Sequence, residues 1–98
     1  MVLLLFSVSP QILLPPVNQL VTEGDPVSFT CCAKGVPTPK LTWTFDGGKL
    51  LPGINQKNFE RESFLESSLQ MQRATKEMEG SYKCTAENKA NRINFQLS

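Results

Sequence analysis

Hydrophobic and polar residues alternate in short runs along this chain, and proline, glycine and asparagine separate the runs. No window sustains the three-to-four residue spacing of an amphipathic helix. Val27, Phe29 and Cys31 follow one another at every second position, which places them on one face of a strand and Cys32 on the opposite face. The pattern predicts an all-β chain in which Cys31 points into the core and Cys32 points outward.

The other runs predict about seven strands in total. An opening edge segment is interrupted by prolines, which cannot donate to a central ladder, and residues 17–21 are expected to continue it as the second half of a split strand. Residues 53–66 mix polar and aromatic side chains and predict one short edge strand, and residues 88–91 predict a hairpin turn. The inward rows expected for the later strands are Leu41, Trp43 and Phe45; Leu69 and Met71; Tyr82, Cys84 and Ala86; and Ile93, Phe95 and Leu97.

Length and charge restrict the classes of function. With 98 residues and 40% hydrophobic content, the chain has room for one domain. Ten basic and nine acidic residues give a net charge of +1 without a basic run, which argues against nucleic acid as a partner. Histidine is absent, and three cysteines do not supply four zinc ligands. We therefore predict no enzyme, no cofactor, no metal and no small-molecule substrate.

The first residues, Met-Val-Leu-Leu-Leu-Phe, are apolar but lack a basic start. They are too short to span a bilayer, which takes about 20 apolar residues. A remnant of a secretory signal and chain preceding the domain both fit this pattern. We therefore assign residues 1–9 to an apolar leader or pre-domain segment and residues 10–98 to the domain.

Four residues fit one geometric arrangement in a β-sandwich. Trp43 follows Cys31 by twelve residues, Cys84 follows Cys31 by 53, and Tyr82 lies two residues before Cys84. A disulfide with a tryptophan packed against it holds two sheets about 10 Å apart, and a tyrosine at that position hydrogen-bonds back to the preceding turn. A Cys31–Cys84 disulfide is the favoured interpretation. A reduced pair serving as ordinary core side chains is the alternative, because the redox compartment decides between them.

Two segments carry a resemblance to a known family. Gly35-Val-Pro-Thr-Pro39 before Trp43, and Glu79-Gly-Ser-Tyr-Lys-Cys84-Thr-Ala-Glu-Asn88, resemble the intermediate set of the immunoglobulin superfamily. This resemblance implies a two-sheet, antiparallel, Greek-key β-sandwich of seven to eight strands. The chain departs from the family pattern twice. Met78 replaces the usual aspartate before the tyrosine motif. Asn91 replaces the usual hairpin glycine, and because asparagine is the residue next best able to adopt a positive φ, we expect the hairpin to form.

The resemblance implies a non-catalytic module that binds other proteins, within a longer chain of neighbouring domains. One interpretation is a disulfide-bonded domain of a cell-surface adhesion or receptor protein, which the apolar start and the cysteine pair favour slightly. The alternative is a domain of an intracellular muscle or cytoskeletal scaffold that acts as spacer and docking site. Cys32 favours the second interpretation, because an unpaired thiol is a liability in an oxidising compartment.

The family binds through exposed sheet faces and loops, so the outward residues near Trp43 and Tyr82 form a candidate partner face. Its members are Thr44, Lys83, Thr85 and Glu87. A solvated face without a binding role is the alternative, because the set lacks the aromatic anchors typical of strong interfaces. The loops near residues 33–40 and 46–58, and contacts with neighbouring domains, are the other candidates for binding. Cys32 is expected to be a free thiol, either simply tolerated or used for an intermolecular disulfide or redox sensing.

Overall fold

The computed structural model describes residues 7–14, 16–62 and 64–97, with the backbone alone for 95–97. The described part of the chain contains seven strands and one short 3₁₀ turn, η1, at Lys76–Met78. The strands are β1 (Val8–Leu14), β2 (Val27–Val36), β3 (Lys40–Phe45), β4 (Ile54–Glu60), β5 (Leu65–Met71), β6 (Tyr82–Glu87) and β7 (Arg92–Leu97). None of the helical structure in these ranges is long and apolar enough to cross a membrane.

The strands form two antiparallel sheets, one with the order β1-β2-β5-β4 and one with the order β3-β6-β7. Alternate residues of each central strand enter the space between the sheets; in β2 these are Val27, Phe29, Cys31 and Ala33, all buried. A shift of one residue would turn that apolar set toward solvent, so the alternation fixes the register. The predicted all-β, two-sheet sandwich is confirmed.

Residues 17–21 do not form the predicted second half of a split first strand. β1 ends at Leu14, and the segment that follows has no regular structure, with Val17, Leu20 and Val21 exposed. The side-chain amide of Gln19 donates to the carbonyl of Ser28 at 2.7 Å. A side chain therefore satisfies a β2 carbonyl that a paired strand would otherwise have used.

The hairpin that contains Asn91 forms as expected, but without a positive φ at that residue. Among the described non-glycine residues, Asp46 alone has a positive φ, 48°. The hairpin between β6 and β7 is instead held by Asn88, whose Oδ1 accepts from the backbone N–H groups of Ala90 and Asn91 at 2.8 and 3.2 Å. These bonds close the turn locally, so it needs no left-handed residue at position 91.

Candidate interaction surfaces

The two sheets are joined by a disulfide between Cys31 in β2 and Cys84 in β6. Their Cα atoms are 6.7 Å apart, and both residues are fully buried. The predicted cross-link is present. It closes a loop spanning 53 positions, which the chain-entropy model values at about 4 kcal/mol of stability.

Trp43 lies opposite Cys84 in the β3–β6 register and is buried. Its indole N–H donates to Ser67 Oγ at 2.9 Å, and that hydroxyl donates to Asn58 Oδ1 at 2.7 Å. Gln56 Nε2 donates to the same Asn58 oxygen at 3.1 Å. The indole is therefore tied across the sandwich to β5 and β4 through polar groups. Our sequence reasoning did not single out Ser67, although its place in an inward row two residues before Leu69 was the available signal.

Tyr82 lies in the core with its ring against Phe29 and Phe45, at centroid distances of 5.2 and 4.9 Å. Its hydroxyl donates to the carbonyl of Met78 at 2.5 Å, which is the bond to the preceding turn that the spacing predicts. Burial first, and the nearby Asp46 carboxylate second, raise the pKa of Tyr82 to about 12. At the departure from the family pattern, Met78 supplies this carbonyl and packs a half-buried side chain against the core.

Cys32 lies on the outer face of β2, as its position predicts, but it is only 6% exposed. Leu14 and Glu66 are its partners on the adjacent strands, and the crowding of neighbouring side chains shields the thiol. Burial and, secondarily, the Glu66 carboxylate raise the pKa of Cys32, while Arg61 opposes them. A buried thiol with a raised pKa forms little thiolate and fits a tolerated residue rather than a reactive one.

The candidate partner face lies on the outer side of the three-stranded sheet. Thr44 and Lys83 are a cross-strand pair, and with Thr85 they are half-buried, whereas Glu87 is exposed. Arg92 Nε donates to Glu87 Oε2 at 2.8 Å. Thr44 Oγ1 is buried without a hydrogen-bond partner in the described part of the chain. The structure brings the four residues onto one polar face whose exposed carboxylate is already paired.

A cleft of about 500 Å³ lies between the irregular segment after β1 and the edge of the core. Its floor is apolar, with Val27, Phe29 and Met71, and Lys76 and Glu79 lie among the residues that line it. No group of three or more potential metal ligands occurs among the residues that the structure describes.

Comparison with known proteins identifies one family. The model of a family described as "Immunoglobulin domain" matches residues 9–88. Human Roundabout homolog 3 is 40% identical over 83 residues, which are 85% of this chain and 6% of that protein. Mouse myopalladin is 33% identical over 88 residues, or 90% of this chain and 7% of that protein. The chain thus spans a small fraction of the curated relatives that it matches.

Solved structures agree with the architecture described above. The titin M3 domain superposes with a TM-score of 0.78 at 28% identity, covering 91% of this chain and 92% of that one. The titin Z1Z2 domains in complex with telethonin superpose with a TM-score of 0.81 at 23% identity, covering 94% of this chain and 47% of that one. The second likeness shows the fold alone.

Proposed function

This chain belongs to the immunoglobulin domain family, and we propose that it serves as the docking module of a cell-surface adhesion or receptor protein. The domain is non-catalytic and of a kind that binds proteins. Since the chain matches only 6 to 7% of the length of Roundabout homolog 3 and myopalladin, we propose further that neighbouring domains flank it in a longer polypeptide. The division into residues 1–9 and 10–98 stays part of this proposal.

The disulfide between Cys31 and Cys84 carries the cell-surface interpretation, because such bonds persist in oxidising compartments and are rare in the cytosol. The unpaired thiol of Cys32 was the argument for the intracellular interpretation. Its shielding and its raised pKa weaken that argument, since an unpaired cysteine is a liability mainly through its thiolate. A buried, protonated Cys32 is compatible with an oxidising environment.

The second candidate is an intracellular scaffold protein in which the same domain is spacer and docking site. The similarity to mouse myopalladin and to titin domains favours it. In that setting Cys31 and Cys84 would remain reduced and would pack as core side chains beside Trp43. The two candidates share one fold and differ in the redox state of one cysteine pair.

Counting thiols in the full-length protein, isolated from its own cells without reductant, separates the two candidates. The protein is denatured in an alkylating reagent, and the peptides that contain Cys31, Cys32 and Cys84 are weighed. The cell-surface proposal predicts alkylation of Cys32 alone, with the other two recovered as one disulfide-linked pair. Three alkylated cysteines would overturn it in favour of the scaffold. A Cys84→Ser variant, which must show two free thiols, checks that the alkylation is complete.

Which surface docks is a separate part of the proposal. The face formed by Thr44, Lys83, Thr85 and Glu87 stays a candidate, supported by the Thr44 hydroxyl, which has no hydrogen-bond partner in the described part of the chain. Because the Glu87–Arg92 pair already neutralises its exposed carboxylate, we expect polar rather than charged contacts there. Alanine at Thr44, Lys83 and Glu87 would leave partner binding unchanged if this face takes no part.

A further inference from the structure

One row of residues crosses the outer face of the four-stranded sheet from edge to edge. The register pairs Leu14 with Cys32, Cys32 with Glu66, and Glu66 with Phe59. Side chains of directly paired residues lie on the same face of a sheet. Three strand spacings make this row about 14 Å long. These four residues are termed the outer row.

Both ends of the outer row are apolar and open to solvent. Leu14 is 50% exposed on edge strand β1, and Phe59 is 40% exposed on edge strand β4. Further along the same sheet, the paired residues Val8 and Val36 are each 51% exposed. Exposed aromatic residues are enriched in protein interfaces. The described side chains of the candidate face on the three-stranded sheet include no comparable anchor.

Arg61 is held beside the outer row by three interactions. Its backbone N–H donates to the carbonyl of Phe64 at 2.9 Å, which closes the turn between β4 and β5. Its guanidinium carbon lies 5.2 Å from the centroid of the Phe59 ring, and Nη2 lies 3.6 Å from Glu66 Oε1. Across the described ranges, the guanidinium donates no hydrogen bond to another residue. An arginine that is already oriented loses less conformational entropy when a ligand binds it.

The charge on this face indicates what would bind there. Lys34, Lys57 and Arg61 are cationic, whereas Glu66 in the outer row and Glu62, which follows Arg61, are anionic, so one positive charge is in excess. The excess of positive charge disfavours a second copy of the same face and favours an acidic partner. The opposite sheet has a similar balance of charge, so charge alone does not select this face. The exposed ring of Phe59, with the oriented guanidinium of Arg61 next to it, distinguishes this face from the other.

We propose that the outer row and Arg61 form a docking surface for an acidic protein segment that carries an exposed apolar or aromatic side chain. A carboxylate of that segment pairs with the free donors of Arg61, and its apolar side chain packs on Phe59. The inference rests on the proposed function, since it assumes that the domain docks another protein, and it specifies the chemistry of that protein.

A selection of random peptides displayed on phage tests the chemistry. The 98-residue chain is immobilised, and bound peptides are sequenced. The surface predicts enrichment of peptides that combine aspartate or glutamate with an aromatic or large aliphatic residue. Enrichment of basic peptides, or of peptides without any common composition, would overturn the inference. Polyglutamate of the same length is the control for charge alone, and it is expected to bind at least ~10-fold more weakly than the best selected peptide.

Titration of that peptide against variants tests the location. Phe59→Ala and Arg61→Gln are each expected to weaken binding by ~30-fold, the effect of a typical hot-spot residue. Leu20→Ala and Arg73→Gln, at exposed residues outside both sheet faces, are the matched controls and are expected to have less than ~2-fold effect. Thr44→Ala and Lys83→Gln test the competing face on the three-stranded sheet. Equal thermal unfolding of all six variants excludes loss of the fold. If the changes on the three-stranded sheet alone weaken binding, this inference fails while the docking function stands. If the peptide binds every variant equally, the location is wrong.

Discussion

At the scale of single residues, the hydroxyl of Ser67 links the core tryptophan to a neighbouring strand. It accepts from the buried indole of Trp43 and donates to Asn58, so it satisfies polar groups on two strands. Ser67→Ala would leave the indole N–H buried without an acceptor. We expect a loss of about 1–3 kcal/mol in the free energy of unfolding. Urea denaturation followed by the fluorescence of Trp43, the only tryptophan, measures it.

Ser68→Ala is the matched control for this change. Ser68 is also buried, at 5% exposed against 0% for Ser67, but it lies on the outer face of β5, where its hydroxyl is 3.3 Å from Ser28 Oγ. Removing the Ser68 hydroxyl leaves the indole of Trp43 with its acceptor, so we expect the free energy of unfolding to fall by less than about 1 kcal/mol. Equal losses for the two serines would contradict the role assigned to Ser67.

Tyr82 makes stability depend on pH in the alkaline range. Burial and Asp46 raise the pKa of Tyr82 from 10.0 to about 12, so the folded chain binds the phenolic proton more tightly than the unfolded chain does. The contribution is complete below pH ~10 and is lost as the pH rises from there through about 12. Because Tyr82 is the only tyrosine, tyrosinate absorbance of the folded protein reports its titration directly. A midpoint near 10 would contradict this, and Tyr82→Phe should remove the corresponding loss of stability.

The residues that could be predicted from sequence are those whose spacing follows from the sandwich itself. Cys31, Trp43 and Tyr82 occupy inward positions of alternating rows, and the structure places them in the core. The burial of Cys32 could not be predicted, because it depends on side chains from strands more than thirty residues away in the chain, around Glu66. The alternation of side chains along a strand predicts that Cys32 points outward, whereas its exposed fraction depends on the side chains of the neighbouring strands.

At the scale of elements, Gly80 lets the turn before β6 approach the end of β3. A Cβ atom at position 80 would lie 2.6 Å from Phe45 Cε1 and 2.8 Å from both carboxylate oxygens of Asp46. Phe45 is packed on Tyr82, so it has little room to move. Gly80→Ala is therefore expected to lower the free energy of unfolding by about 1–3 kcal/mol.

Gly48→Ala is the control for that substitution, because the nearest atom to a Cβ there is 3.8 Å away and φ is not positive. We expect a change within about 0.5 kcal/mol. The urea midpoints of the two variants compare them directly. A loss at Gly48 as large as that at Gly80 would refute the close-approach argument.

Residues 17–21, which the sequence pattern predicted as a strand, show that periodicity does not determine strand pairing. Residues 17–21 have strand-like composition, yet they remain unpaired, and the amide of Gln19 rather than a neighbouring strand bonds to Ser28. Alternation indicates where a strand is possible, but pairing depends on which backbone groups are still free. The seven strands that form each have a neighbour with matching register.

At the scale of the whole molecule, the disulfide and the polar network around Trp43 hold two sheets together, and each sheet has an outer face that points away from the core. One face is polar, with the Glu87–Arg92 pair at its surface. The other face has the exposed Phe59 ring beneath Arg61. The fold and the family could be read from the sequence, because the core spacing fixes both. The exposed Phe59 ring and its neighbours on the four-stranded sheet could not be predicted from the sequence, because the register between strands brings these residues together.

The most direct test of docking is lysine cross-linking of the full-length protein in its own cells, followed by mass spectrometry. The lysines mark the two faces, with Lys34 and Lys57 on the four-stranded sheet and Lys40 and Lys83 on the other. We predict cross-links from Lys34 or Lys57 to a second polypeptide, and their loss in a Phe59→Ala variant. Cross-links from Lys40 and Lys83 alone would contradict the assigned surface. The absence of any cross-link to a second polypeptide from these four lysines would contradict the docking function.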